Sequence, residues 1–168
     1  MALVGVRDHR DCNHIAMLQH LATLTVRTPD RGLLEITREV RASVADSGVG
    51  EGLVTLFVRH TSASLLIQEN ADPDVRDDLE RFFARLVRDG DSLFQHRTEG
   101  PDDMPAHVRS ALTATQLSIP ITSGSLALGT WQGIYLWEHR LHGSAREIAV
   151  HVIGEAVQRA GINRRGSP

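Results

Sequence analysis

The chain has 168 residues, 41% of them hydrophobic, and 18 Lys and Arg against 21 Asp and Glu give a formal net charge of -3. That length suits one globular domain around one core, and the charge balance supplies no basic field to attract nucleic acid or an anionic membrane. Cys12 is the single cysteine, which excludes an intrachain disulfide and points to a reducing compartment.

At the N-terminus, Arg7, Asp8, Arg10 and Asp11 break the apolar run that a signal peptide needs, so a cytoplasmic protein is expected. Residues 20–26, "HLATLTV", alternate as a first strand, and "TPDRG" reads as the turn after it. Leu33, Ile36, Val40 and Val44 recur at helical spacing, ended by the glycines of "DSGVGEG". Residues 53–60 form the next predicted strand, with Val54, Leu56, Val58 and His60 on one face.

The stretch that follows, "HTSASLLIQEN", carries polar chemistry where a hairpin would have Gly, Pro, Asn or Asp, and it reads as a site or an irregular connection. Asp72 and Pro73 open a helix whose apolar stripe is Leu79, Phe82, Phe83, Leu86 and Val87; its charges read as a solvated face. After the polar loop "DSLFQHRTEGPDD", a second helix is predicted over 104–115, carried by Val108, Ala111 and Leu112. Residues 110–137 hold no charged residue, yet Pro120, Gly124, Gly129, Gln132 and many hydroxyls interrupt the stretch, so it reads as buried strands and not as a membrane span. Strands are predicted at 116–121, 125–128, 132–140 and 146–154, and the tail "RAGINRRGSP" as disordered. Runs of strands with helices grouped between them predict a single α+β domain, with a mostly antiparallel, sandwich-like sheet and helices against it.

Nine histidines stand beside one Tyr and two Trp. His96 and His107 bracket the carboxylate-rich "RTEGPDDMPA", and imidazoles near Asp or Glu hold divalent metals, although the spacing matches no compact zinc motif. The plainer reading has His96 capping a loop and His107 at a helix edge. In an extended "QGIYLWEHR", Gln132, Ile134, Leu136, Glu138 and Arg140 share one face. Glu138 then either pairs with Arg140 or Arg146, or serves as a base or ligand in a pocket.

The segments "HTSASLLIQENADPDVRDDLERFF", "HRTEGPDDMPAHVRSAL" and "IPITSGSLALGTWQGIYLWEHRLHGSAREI" resemble the YjbQ family, a secondary type of thiamine-phosphate synthase. The resemblance runs from about Leu18 to Glu155. It makes residues 1–16 a flexible extension, 17–156 the domain and 157–168 a flexible tail. "EHRLHGSAR" resembles one branch of the family, a departure that leaves His139 and His142 without an assigned role.

The resemblance implies a homotrimer, a histidine-containing pocket with a divalent metal, and a weak activity. That activity joins hydroxymethylpyrimidine diphosphate to thiazole phosphate, giving thiamine phosphate and pyrophosphate. On this reading His60, His96 and His107 hold the metal, while Thr61, Ser62, Ser64, Thr130, Gln132 and Arg146 bind the substrate. Glu69, with Asn70 beside it, or Glu138 orients the pyrimidine amine or removes a proton. Imidazole ligands favour Zn or a similar ion, whereas a diphosphate substrate brings Mg. Two other functions fit the same residues: a metal-dependent hydrolase of a small phosphorylated metabolite, and a trimeric metabolite- or metal-binding protein without turnover.

Overall fold

A computed structural model describes residues 17–157. The expected N-terminal extension, and the expected tail beyond Val157, lie outside the described residues. Eight strands and three helices are described: β1 (Met17–Arg27), β2 (Asp30–Glu35), α1 (Thr37–Ser47), β3 (Val49–Val58), β4 (Ala63–Glu69), α2 (Pro73–Leu86), α3 (Asp103–Leu112), β5 (Gln116–Thr122), β6 (Ser125–Leu126), β7 (Gln132–His142) and β8 (Ala145–Ala156). They make a five-stranded sheet, ordered β1-β8-β3-β5-β6, and a three-stranded sheet, β2-β7-β4. Every ladder is antiparallel, as the α+β reading requires. No described helix is long and apolar enough to cross a membrane.

The core lies between the sheets. Val54, Leu56 and Val58 of β3 and Ile148, Val150 and Val152 of β8 alternate inward to meet Ala63 and Leu65 of β4 and Ile134 and Leu136 of β7. Val40 and Val44 of α1 close the same cluster. β7 is buried on both faces because α2 and α3 cover its second side. There Trp137 stacks edge-on against Phe83 of α2, centroids 4.8 Å apart, and donates its indole N–H to Glu80 at 2.8 Å. Truncating Trp137 to Ala would cost about 3–5 kcal/mol.

Two segments differ from the sequence reading. Leu33 does not start a helix: Leu33 and Leu34 belong to β2, paired with Trp137 and Leu136 of β7, and the helix begins only at Thr37. Tertiary pairing overrides the accidental helical spacing. Gly32, at φ 139, and the register shift between Asp30 and Gly32 take the place of the expected turn. The second segment, "HTSASLLIQEN", is mostly strand, since Ala63–Glu69 is β4. Elsewhere the signals hold: Asp72 caps α2 by accepting the Asp74 amide at 2.9 Å, with Pro73 in the first turn. In the α2 stripe, however, Phe82 and Leu86 are exposed, and Val87 just beyond the helix is buried.

Candidate functional site

β3 ends at Val58, and the chain crosses to the other sheet through Arg59, His60, Thr61 and Ser62. Backbone bonds fix the crossing: the Arg59 amide donates to the Glu147 carbonyl at 3.0 Å, and the Ser62 carbonyl accepts the His139 amide at 3.2 Å. Consecutive residues therefore point to different neighbours. His60 Nε2 accepts the Glu147 amide at 2.8 Å and its Nδ1 lies 3.4 Å from the Arg146 guanidinium. Burial, then the Arg146 charge, lowers the His60 pKa below the ordinary imidazole value. The Thr61 carbonyl faces α3 instead and accepts His107 Nδ1–H at 3.0 Å.

α3 carries Asp103 and His107 one turn apart, so both side chains project from one face. His96 reaches the same point from the preceding loop. Asp103 Oδ2 lies 2.8 Å from His96 Nε2 and 3.4 Å from His107 Nε2, and its Oδ1 is held by the Arg140 guanidinium. Arg140 also donates to Asp102 Oδ2 at 2.9 Å and to the Glu99 carbonyl at 2.8 Å. Burial pushes the Asp102 carboxyl up, but the Leu141 amide and Arg140 outweigh it and leave the pKa lowered.

The donor chemistry fits a cation. A carbonyl oxygen has no proton, so His107 donates Nδ1–H to Thr61, and in the neutral ring the Nε2 lone pair then faces the Asp103 carboxylate. In that tautomer two electron-rich atoms face each other, an arrangement that either a bound cation or a proton on Nε2 satisfies. One ligand atom from each of His96, Asp103 and His107 lies within 4.8 Å of the others. A backbone carbonyl on the far nitrogen of His107 and an arginine on the far oxygen of Asp103 are the supports that orient metal ligands. Asp103 is 3% exposed, whereas the side chains of His96 and His107 are 44% and 33% exposed, so the cluster is rooted in protein and open on the histidine side.

Glu138 is fully buried beside the crossover. Arg146 donates to its two oxygens at 2.7 and 2.5 Å, Thr28 Oγ1 donates at 2.8 Å and the Arg140 amide at 3.0 Å. Burial raises the Glu138 pKa, yet these donors, Arg146 first, leave it lowered overall. Its lone pairs are committed to an internal ion pair. Ser64 and His139, both 0% exposed, bond each other at 2.9 Å between Ser64 Oγ and His139 Nε2.

The sequence-predicted residues thus separate within a single chain. His96 and His107 converge, with Asp103 as their carboxylate, while His60 joins Arg146 and Glu138. Thr61 is exposed and lends its carbonyl to His107; Ser62 and Ser64 are buried. Glu69, Asn70, Thr130 and Gln132 sit at the other end of the β4–β7 pair. Glu69 is the register partner of Gln132, six residues or about 20 Å along β7 from Glu138. Their visible bonds close a turn: the Asn70 amide donates to the Trp131 carbonyl, and Gln132 Oε1 accepts the Gly129 amide. Asp102, Asp103 and Arg140 went unassigned in the sequence. The i, i+4 spacing of Asp103 and His107 was the available signal for the first pair.

The profile of the family described as UPF0047 protein YjbQ-like matches residues 22–155. A UPF0047 protein from Synechocystis is 56% identical over 137 residues, covering 82% of this chain and 93% of that protein. UPF0047 protein YjbQ of Escherichia coli O157:H7 is 46% identical over 134 residues, covering 79% and 96%. The crystal structure of a YbjQ-like protein of unknown function from Sulfolobus solfataricus P2 superposes with a TM-score of 0.77 at 26% identity, covering 83% of this chain and 100% of that one.

Proposed function

The chain belongs to the UPF0047 YjbQ-like family, and from that premise we infer that it is a metal-assisted enzyme acting on a small phosphorylated metabolite. The specific reaction is the joining of hydroxymethylpyrimidine diphosphate to thiazole phosphate. The carbon–oxygen bond to the diphosphate breaks, the thiazole nitrogen forms the new carbon–nitrogen bond, and pyrophosphate leaves with the electron pair. The observation that carries the reading is the His107 lone pair turned onto an Asp103 carboxylate already braced by Arg140.

His96, Asp103 and His107 would hold the metal, a donor set suited to Zn or a similar ion. When bound, the metal supplies charge neutralisation for the departing oxygens. Thr61, exposed and joined through its carbonyl to His107, would contact a phosphate oxygen through its hydroxyl. Incubating the metal-loaded protein with both substrates tests the reaction: thiamine phosphate and pyrophosphate are expected in equal amounts. Phosphate release without thiamine phosphate would replace synthesis with hydrolysis, and a bound substrate without product would make the chain a binding protein.

Assembly as a homotrimer belongs to the same reading. The support for it is the outer face of the five-stranded sheet, where Leu21, Leu53, Phe57 and Ile153 are 70%, 37%, 47% and 38% exposed. These side chains stand open to that extent in the single chain. The uncharged 110–137 segment does not add to that face, because it buries Ile119, Ile121, Ile134 and Leu136 within the chain itself.

A further inference from the structure

Between the loop after α2 and the start of α3 lies a cavity of about 260 Å³. Phe94, Pro101, Met104 and Pro105 give it apolar walls, and His96 and Arg97 line it as well. The walls are tied in place. Arg97 donates from Nε to the Phe94 carbonyl at 2.8 Å and from a terminal nitrogen to the Ser92 carbonyl at 3.2 Å, and the Gly90 amide donates to the Pro101 carbonyl at 2.8 Å. Gly90 and Gly100, at φ 70 and 110, make the two bends that let the loop close on itself.

His96 belongs both to the wall and to the His96–Asp103–His107 cluster. A ligand in the cavity therefore reaches one member of that cluster, His96, directly. The volume exceeds the roughly 150 Å³ of an apolar cavity that takes benzene and falls short of the roughly 300 Å³ at which drug-sized pockets begin. One ring fits within it. We propose that this cavity is the ring subsite for a phosphorylated single-ring metabolite, with the ring against Phe94 and Met104 and the phosphate toward the cluster. The assignment rests on the metal reading above and adds to it which part of the molecule is recognised and by which residues.

Zn-loaded full-length protein, with its Zn content measured first, is titrated calorimetrically with phenyl phosphate and with methyl phosphate. Phenyl phosphate is expected to bind about tenfold or more tightly than methyl phosphate, the contribution of one buried ring. Met104→Trp, which fills the cavity, and Phe94→Ala, which removes a wall, are each expected to bring the two affinities within about twofold while Zn per chain stays unchanged. Two variants of opposite size guard against a fold defect in either. Equal affinities in a wild-type protein that holds Zn would overturn the ring subsite alone. Loss of Zn on dialysis would overturn the metal reading and the subsite with it.

Discussion

His107 and Thr61, 46 residues apart in sequence, are joined by one hydrogen bond of 3.0 Å from the imidazole to the backbone carbonyl of the sheet crossover. The bond fixes which ring nitrogen faces Asp103. Because the acceptor is backbone, no substitution of the Thr61 side chain removes it, and the ring orientation is a property of the crossover itself.

Metal retention should follow this geometry. After loading with Zn and dialysis, His107→Ala and Asp103→Ala are expected to fall from about one ion per chain to nearly none, while His60→Ala keeps its metal. Elemental analysis of folded protein makes the comparison. Loss of metal from His60→Ala equal to that from His107→Ala would restore His60 to the ligand set.

Replacing Glu138 with Gln should destabilise the fold. Four donors converge on the buried carboxylate, and the amide cannot accept from all of them, so Arg146 is left a buried charge without its partner. The expected loss is about 3–5 kcal/mol by urea denaturation. Unchanged stability together with abolished turnover would instead make Glu138 a catalytic group.

Acid should weaken the fold through His139. Burial, then the Arg109 charge, pushes the His139 imidazole down to about 3, whereas in the unfolded chain it titrates near 6.5. Between those values the unfolded state binds the extra proton, so stability rises with pH through that window and is lost as pH falls. The loss from pH 6.5 to 5 is on the order of 2 kcal/mol for this residue. His139→Phe should flatten that part of the profile, and an undiminished slope would assign it to other groups. Glu138 adds a second acid loss, below its ordinary carboxylate value, because its folded pKa is lowered.

Assembly should depend on the outer sheet face. Phe57→Asp places a charge on an exposed apolar position and is expected to convert a trimer to monomers in light scattering, with the circular dichroism spectrum retained. A wild-type monomer at micromolar concentration would remove the premise.

Much of the architecture was legible because alternation and capping are local. The β3 alternation of Val54, Leu56 and Val58 and the Asp72–Pro73 helix start each follow from a few neighbouring residues. β2 was not legible, since Leu33 and Ile36 mimic a helical period and only pairing with β7 makes a strand of the first. At the site, His96 and His107 stood out by residue type, but choosing Asp103 among the carboxylates of "EGPDD" required α3 to put it one turn from His107. The two ends of β7 could not be told apart in one dimension, so Gln132 and Glu138 were grouped although the strand holds them apart.

Arg140 divides the labour around the cluster. Its guanidinium anchors Asp102, Asp103 and, through the Glu99 carbonyl, the end of the loop that supplies His96 and Pro101 to the sheet, while the start of that loop, around Phe94, is folded by bonds of its own. A change of side-chain size near Phe94 therefore falls on a part of the loop held by its own bonds, whereas a change between Glu99 and Asp103 falls on the part that Arg140 ties to β7.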